Sequence, residues 1–131
     1  MLDENIRRDL TKRALSIREH AYAPYSNYTV GAALLTASGK IYEGINIENA
    51  AYPVTICAER VAVFKAVSEG ERGFVAIVVA TRDGGSPCGS CRQVMYEFGP
   101  DMQVITVNAK GNVVLDVDVK GLLPNGFSLQ E

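Results

Sequence analysis

The chain has 131 residues, 47% of them hydrophobic and 21% charged, which is the size and composition of one ordinary globular domain spanning residues 1–131. The net charge of −2 gives no general attraction to phosphates, which argues against a nucleic-acid partner and for a small-molecule substrate. No apolar run approaches the roughly 20 residues of a membrane-spanning helix, and the first residues lack an apolar signal-peptide core. We therefore expect a cytoplasmic protein with no membrane partner.

The first part of the chain is predicted to form a covering helix followed by a β-hairpin. Apolar residues recur at three- and four-residue spacing over residues 3–21, as in an amphipathic helix. A strand is predicted over residues 28–35, where Gly31, Ala32 and Ala33 are small enough for a helix or a ligand to approach closely. A turn at residues 37–40 predicts an antiparallel return strand over residues 41–47, and a polar loop follows over residues 46–53.

The remainder of the chain alternates helices and strands. Helices are predicted over residues 57–69 and 88–98, with a short helical segment at 119–123, and strands over residues 74–81, 102–107 and 113–117. The segment 74–81 is almost entirely apolar, as expected for a strand covered on both faces. This order predicts an α/β fold, specifically a three-layer α/β/α sandwich with a mixed β-sheet.

All three cysteines lie in two short motifs, Cys57-Ala58-Glu59-Arg60 and Pro87-Cys88-Gly89-Ser90-Cys91. Their odd number suits metal binding in a reducing compartment better than internal disulfides. Residues spaced i and i+3, such as Cys88 and Cys91, share one face of a helix and can bind the same ion. Three thiolate ligands leave the fourth tetrahedral position of Zn²⁺ open for water, which is typical of a catalytic zinc site.

Two further residues of the first motif suit this chemistry. Glu59 is not needed as a ligand, so it is available as the general acid and base that moves protons between water and substrate. Zinc deaminases of nucleobases use this combination of cysteines and a glutamate. Zn²⁺ with three thiolates carries a net charge of −1, which Arg60 and two helix N-termini are placed to offset.

Other interpretations of these residues remain open. Cys88 and Cys91 could form a redox-active pair, although this leaves Cys57 without a role. A structural zinc site requires a fourth ligand, for which only His20 or a carboxylate is available. Glu59 could be an exposed glutamate that complements the dipole of its helix. A zinc-stabilised binding protein without catalytic activity is the corresponding non-enzymatic alternative.

Several longer stretches resemble the small, homotetrameric, zinc-dependent cytidine deaminases. Besides the cysteine motifs, these are Ala-Pro-Tyr-Ser (23–26), Val-Gly-Ala-Ala-Leu-Leu (30–35), Gly-Ile-Asn-Ile-Glu-Asn-Ala (44–50), Lys-Ala-Val-Ser-Glu-Gly (65–70) and Leu-Leu-Pro-Asn-Gly-Phe (122–127). The Asn-x-Glu-Asn-Ala sequence is typical of members that act on free nucleosides. The resemblance implies a cytidine deaminase-like fold, one Zn²⁺ per subunit, and hydrolysis of cytidine and 2′-deoxycytidine to uridine and 2′-deoxyuridine with release of ammonia.

The resemblance also implies roles for individual residues at the substrate. Asn46 and Glu48 match the residues that hold the ribose hydroxyl. The backbone of Ala58 and the carboxylate of Glu59 match the groups that contact the edge of the pyrimidine.

Other matched positions concern shared sites and substrate scope. Phe127 matches an aromatic residue contributed by a neighbouring subunit, and Ala50 and Tyr52 match residues that line shared sites, so the resemblance implies a homotetramer. Tyr28 stands where the family usually has a Phe near the base, and its extra hydroxyl bears on substrate preference. Blasticidin-S-type deaminases share the zinc motifs but typically lack the equivalent of Glu48. A deaminase of blasticidin S or of N4-modified cytosine nucleosides is therefore the alternative within this class.

Overall fold

Four α-helices and five β-strands are present in residues 2–130, the part of the chain that the computed structural model describes. The helices are α1 (Glu4–Ile17), α2 (Ala58–Ser68), α3 (Gly89–Phe98) and α4 (Val119–Leu122), with single 3₁₀ turns at Arg18–His20 and Tyr52–Val54. The strands are β1 (Gly31–Thr36), β2 (Ile41–Ile45), β3 (Phe74–Ala80), β4 (Gln103–Val107) and β5 (Val113–Asp118). Within these residues, none of the helices combines the length and apolarity required to cross a bilayer.

The strands form one mixed sheet in the order β2-β1-β3-β4-β5. The hairpin of β1 and β2 is antiparallel, and β1 also pairs antiparallel with β3. Strands β3 and β4 are parallel, with α3 in the connection between them, and β5 returns antiparallel to β4. The predicted mixed sheet and initial hairpin are therefore confirmed.

Helices cover both faces of this sheet. Successive side chains of a strand point to opposite faces, so one strand contributes residues to the core on each side. Ala32 and Leu34 of β1 belong to a core cluster with α2 and α3. Ala33 and Leu35 belong to a second cluster with Leu10 and other residues of α1. The strand β3 contributes to both clusters, in agreement with the prediction that it is covered on both faces. The three-layer α/β/α sandwich is confirmed.

Two glycines allow helices to lie directly against the sheet. A Cβ atom at Gly31 would lie 2.2 Å from the carbonyl oxygen of Ala14 in α1, so the predicted close approach is that of a helix. A Cβ atom at Gly44 in β2 would lie 2.4 Å from the carbonyl oxygen of Ala58, the first residue of α2. The second contact holds the beginning of α2 against the sheet.

The observed elements differ from the predicted ones near the loops. The first strand begins at Gly31 and not at residue 28, because the side chain of Asn46 binds the backbone that precedes it. The Asn46 Nδ2 donates to the carbonyl of Tyr28 at 2.8 Å, and its Oδ1 accepts from the N–H of Val30 at 2.9 Å. Helix α1 ends at Ile17 and continues to residue 20 as a 3₁₀ turn, and the polar loop contains the 3₁₀ turn Tyr52–Val54.

Candidate active site and metal centre

The three cysteines converge although 34 residues of sequence separate the first from the last. The sulfur of Cys88 lies 3.9 Å from that of Cys57 and 3.5 Å from that of Cys91. Tetrahedral coordination with Zn–S bonds of about 2.3 Å places sulfur atoms about 3.8 Å apart, so the cluster fits a zinc ion. Among the described residues, this group contains the three cysteines and no histidine or carboxylate. His20 therefore does not complete a structural four-ligand site.

The beginnings of two helices position this cluster. Cys57 and Cys88 are the N-cap residues of α2 and α3, both with extended backbone, and Cys91 lies in the first turn of α3. Neither N-cap side chain makes a capping hydrogen bond, so both sulfurs are available to a metal. The N-terminus of each helix carries a partial positive charge that stabilises thiolate ligands.

Arg60 lies beside the cluster, as its proposed role in charge balance requires. Its Nη2 donates to the sulfur of Cys57 at 3.4 Å. The neighbouring Cys91 thiol, followed by the guanidinium of Arg60, lowers the pKa of Cys57. This shift favours the thiolate form of Cys57, which is the form that binds zinc.

Glu59 is buried, with only 6% of its surface exposed. The alternative of an exposed glutamate at the helix surface is therefore wrong. Desolvation by burial raises the pKa of Glu59 to about 7, and the neighbouring Cys57 thiolate adds to this effect. A carboxyl group with a pKa near the working pH can both accept and donate a proton, as general acid–base catalysis requires.

A cavity of about 250 Å³ opens next to Glu59 and the cysteines. It is lined by Ser26, Tyr28, Val30, Asn46, Glu48, Tyr52, Thr55, Ile56, Cys57, Glu59, Val79, Thr81, Gly85, Ser86 and Cys88. Four of the residues predicted to contact substrate, Tyr28, Asn46, Glu48 and Tyr52, thus meet the cysteine cluster in one cavity.

Three other residues of the predicted substrate set do not line this cavity. Ala58 is fully buried at the start of α2, so only its backbone is a candidate for a substrate contact. Ala50 is exposed outside the cavity, and Phe127 is 68% exposed near the end of the described chain. The carbonyl of Phe127 accepts a hydrogen bond from the side chain of Gln93 at 3.1 Å.

The buried carboxylate of Glu48 is held in place by the segment before β1. It accepts hydrogen bonds from the backbone N–H groups of Tyr25 at 2.9 Å and Ser26 at 3.2 Å, and from the hydroxyl of Ser26. The Ser26 hydroxyl, with further help from the two backbone N–H groups, lowers the pKa of Glu48. The cavity therefore presents an ionised, oriented carboxylate to any ligand that carries hydroxyl groups.

Sequence reasoning missed several polar residues around the cavity. Ser26 binds Glu48, Thr81 and Ser86 line the cavity, and Asp83 accepts a hydrogen bond from the hydroxyl of Tyr28 at 2.6 Å. The available signal for Asp83 is its position in a glycine-rich segment, five residues before Cys88.

The chain is similar to known proteins over most of its length. A sequence model described as the cytidine and deoxycytidylate deaminase zinc-binding region matches residues 4–107. The cytidine deaminase of Sporosarcina psychrophila is 54% identical over 117 residues, which cover 87% of this chain and 85% of that protein. The cytidine deaminase of Halalkalibacterium halodurans is 48% identical over 128 residues, covering 95% and 96% of the two chains.

Solved structures agree with the sequence comparisons. The crystal structure of cytidine deaminase from Burkholderia pseudomallei matches with a TM-score of 0.88 at 46% identity, covering 92% of this chain and 98% of that one. The fold, the cysteine cluster and the matched region are thus those of one group of zinc enzymes. The chain belongs to the cytidine and deoxycytidylate deaminase family.

Proposed function

We propose that this protein catalyses the zinc-dependent hydrolysis of cytidine and 2′-deoxycytidine to uridine and 2′-deoxyuridine, with release of ammonia. The observation that carries this proposal is the single cavity that joins the three-cysteine cluster, the buried Glu59 and the ionised Glu48. The cysteine cluster and Glu59 provide the metal ligands and the proton-transfer group needed at the base. The fixed carboxylate of Glu48 provides an acceptor for a hydroxyl group of the sugar. The relatives reported above are cytidine deaminases, which supports the same substrate class.

Cys57, Cys88 and Cys91 would hold a zinc ion, which as a Lewis acid would lower the pKa of water from about 15.7 towards 7. Glu59 takes a proton from the attacking water and delivers it to the ring nitrogen of the pyrimidine. As the water oxygen, now bonded to the ring carbon, becomes the carbonyl oxygen, Glu59 takes its second proton and passes it to the amino group, which leaves as ammonia. One carboxyl group thus acts as base and as acid in turn. Arg60 balances the negative charge of the thiolates through its contact with Cys57.

The remaining residues of the cavity orient the nucleoside. Glu48 accepts a hydrogen bond from a ribose hydroxyl, and Asn46 contributes to the same contact while holding the backbone of Tyr28 and Val30. Ala58 is the first residue of α2, and the first N–H groups of a helix have no partner within it. The Ala58 N–H is therefore available to the edge of the pyrimidine.

The complete active site is formed in a homotetramer with shared sites. Phe127 and Tyr52 are both 68% exposed, and Tyr22, Tyr25 and Val54 are further exposed apolar side chains. Phe127 reaches the cavity of a neighbouring subunit, and Ala50 and Tyr52 line the shared boundary. The enzyme acts in the cytoplasm, in pyrimidine salvage, where free nucleosides are its substrates.

The test is to mix zinc-loaded protein with cytidine and follow the loss of ultraviolet absorbance. We expect turnover of cytidine and 2′-deoxycytidine, with free cytosine, adenosine and blasticidin S as comparison substrates. A zinc-stabilised binding protein would leave all five spectra unchanged. Faster turnover of blasticidin S than of cytidine would favour the alternative deaminase.

A further inference from the structure

The hydroxyl of Tyr28 connects two segments that are distant in sequence. Tyr28 lies three residues before the start of β1, and its aromatic ring forms part of the cavity wall. Its hydroxyl donates to Oδ1 of Asp83 at 2.6 Å, and Asp83 belongs to the loop between β3 and Cys88. We call residues 82–86 of this connection the ligand loop, because Cys88 follows it. One hydrogen bond therefore links the aromatic wall of the cavity to the segment that carries a cysteine of the cluster.

Two more contacts fit the ring of Tyr28 to the ligand loop. The guanidinium of Arg82 lies over the ring, 5.2 Å from its centroid, which is within the range of cation–π attraction. A Cβ atom at residue 85 would lie 2.9 Å from the Tyr28 hydroxyl, so Gly85 leaves the space that this hydroxyl occupies. The loop therefore accommodates the hydroxyl of a tyrosine. A phenylalanine at residue 28 would neither donate to Asp83 nor fill the space beside Gly85.

The ligand loop is held partly by the Asp83 carboxylate, whose Oδ1 also accepts from the Thr81 hydroxyl and the Gly85 N–H, each at 3.2 Å, and partly by bonds that do not involve Asp83. The hydroxyl of Thr81 accepts from the N–H groups of Gly84 at 2.6 Å and Gly85 at 3.1 Å. The hydroxyl of Thr106 donates to the carbonyl of Gly84 at 2.8 Å. Removing the carboxylate of Asp83 therefore frees the ring of Tyr28 and two groups of the loop, while the bonds of Thr81 and Thr106 to the glycines still hold the loop backbone.

We infer that Asp83 is a positioning residue for substrate binding: by accepting the hydrogen bond from Tyr28, it fixes the aromatic wall of the cavity at a set distance from the cysteine cluster. This inference rests on the proposed function and adds a determinant of substrate affinity to it. Asp83 does not line the cavity, so it acts through Tyr28. A wall fixed in advance binds a flat base without the entropic cost of ordering the ring.

The test compares Asp83→Ala, Asp83→Asn, Tyr28→Phe and the double variant Tyr28→Phe/Asp83→Ala in zinc-loaded protein. Tyr28→Phe should raise the KM for cytidine by about threefold to tenfold, the effect of losing one hydrogen bond. Asp83→Ala, which also removes two hydrogen bonds within the loop, should raise KM at least as much, and kcat should change by less than about twofold in both variants. The double variant should be no worse than Asp83→Ala alone, because that substitution already removes the bond to Tyr28. Asp83→Asn retains an acceptor oxygen and should restore a KM close to that of the wild type.

Two further measurements separate positioning from general loss of structure. The dissociation constant of the product uridine, measured by calorimetry, should rise by the same factor as KM, while zinc content stays unchanged in all variants and the melting temperature stays unchanged in Tyr28→Phe. The matched control is Asp101→Ala, which removes an exposed carboxylate that accepts from Lys120 at 2.7 Å and does not line the cavity. This control should leave KM unchanged.

The possible failures are distinguishable. A wild-type protein that does not deaminate cytidine rejects the proposed function and the inference together. An active wild type whose KM is unaltered in Tyr28→Phe and Asp83→Ala rejects the inference alone. The inference is also rejected if the effects of the two substitutions multiply in the double variant, or if Asp83→Asn is as impaired as Asp83→Ala.

Discussion

Replacing Glu59 by glutamine tests the proton transfer directly. Glutamine has the shape of glutamate but cannot carry a proton between water and substrate. The structure predicts little effect on folding, because burial already disfavours the charged form of Glu59, and a neutral amide of the same shape costs less to bury than a carboxylate. Cys57, Cys88 and Cys91 are unchanged, so zinc content should equal that of the wild type.

The expected loss of activity is large. General acid–base catalysis contributes about 10²- to 10⁴-fold, or roughly 3–5 kcal/mol of activation free energy. Because Glu59 is 6% exposed, little solvent can replace it, and we expect kcat/KM for cytidine to fall by about 1,000-fold. The assay is the loss of cytidine absorbance, with Glu69→Gln, just after the end of α2, as the control that keeps full activity. A zinc-loaded Glu59→Gln protein within tenfold of the wild type would refute this reasoning.

Three other predictions concern stability. Gly31→Ala places a Cβ atom 2.2 Å from the carbonyl oxygen of Ala14 and should lower the free energy of unfolding in urea by about 1–3 kcal/mol. Gly89→Ala, where the added Cβ meets nothing within 4 Å, is its control, and equal stabilities would contradict the packing argument. Because the hydrogen bond from Ser26 lowers the pKa of Glu48 below its ordinary value of 4.5, the ionised form stabilises the fold above that pH and this contribution is lost as pH falls. Glu48→Gln should therefore flatten the acid side of the stability profile measured by urea unfolding, and parallel profiles would count against it. Removing zinc with a chelator should lower the melting temperature, because a ligand that binds the folded state stabilises it, and adding zinc back should restore it. An equal melting temperature with and without zinc would argue against a bound ion.

Local sequence patterns were sufficient to predict the layers of the fold. The apolar segment that became β3 and the spacing of apolar residues in α1 each depend on neighbours in sequence, and both elements are present. The cysteine motifs were also informative, because each sits at the beginning of a helix and the fold brings those two beginnings together. The roles of Asn46 and Glu48 in residues 44–50 came only from the resemblance to a family, because no periodic pattern of apolar residues indicates a substrate contact there.

Contacts between distant segments were not predictable in the same way. Asn46 removes residues 28–30 from the sheet by binding their backbone from 16 to 18 residues away. The bond between Tyr28 and Asp83 spans 55 residues. The burial of Glu59 depends on α2 lying against β2 at Gly44, whereas its place in a first helical turn is equally typical of an exposed residue.

The missing side-chain caps of α2 and α3 have a consequence for dynamics. Most helices use a serine, threonine, aspartate or asparagine to hold their first N–H groups, and here cysteines occupy both N-cap positions without doing so. An ion bound to those sulfurs would hold the N-termini of both helices at the same time. Amide hydrogens in the first turns of the two helices should then exchange with solvent faster in the metal-free protein. Loss of the ion would therefore destabilise the N-terminal turns of both α2 and α3.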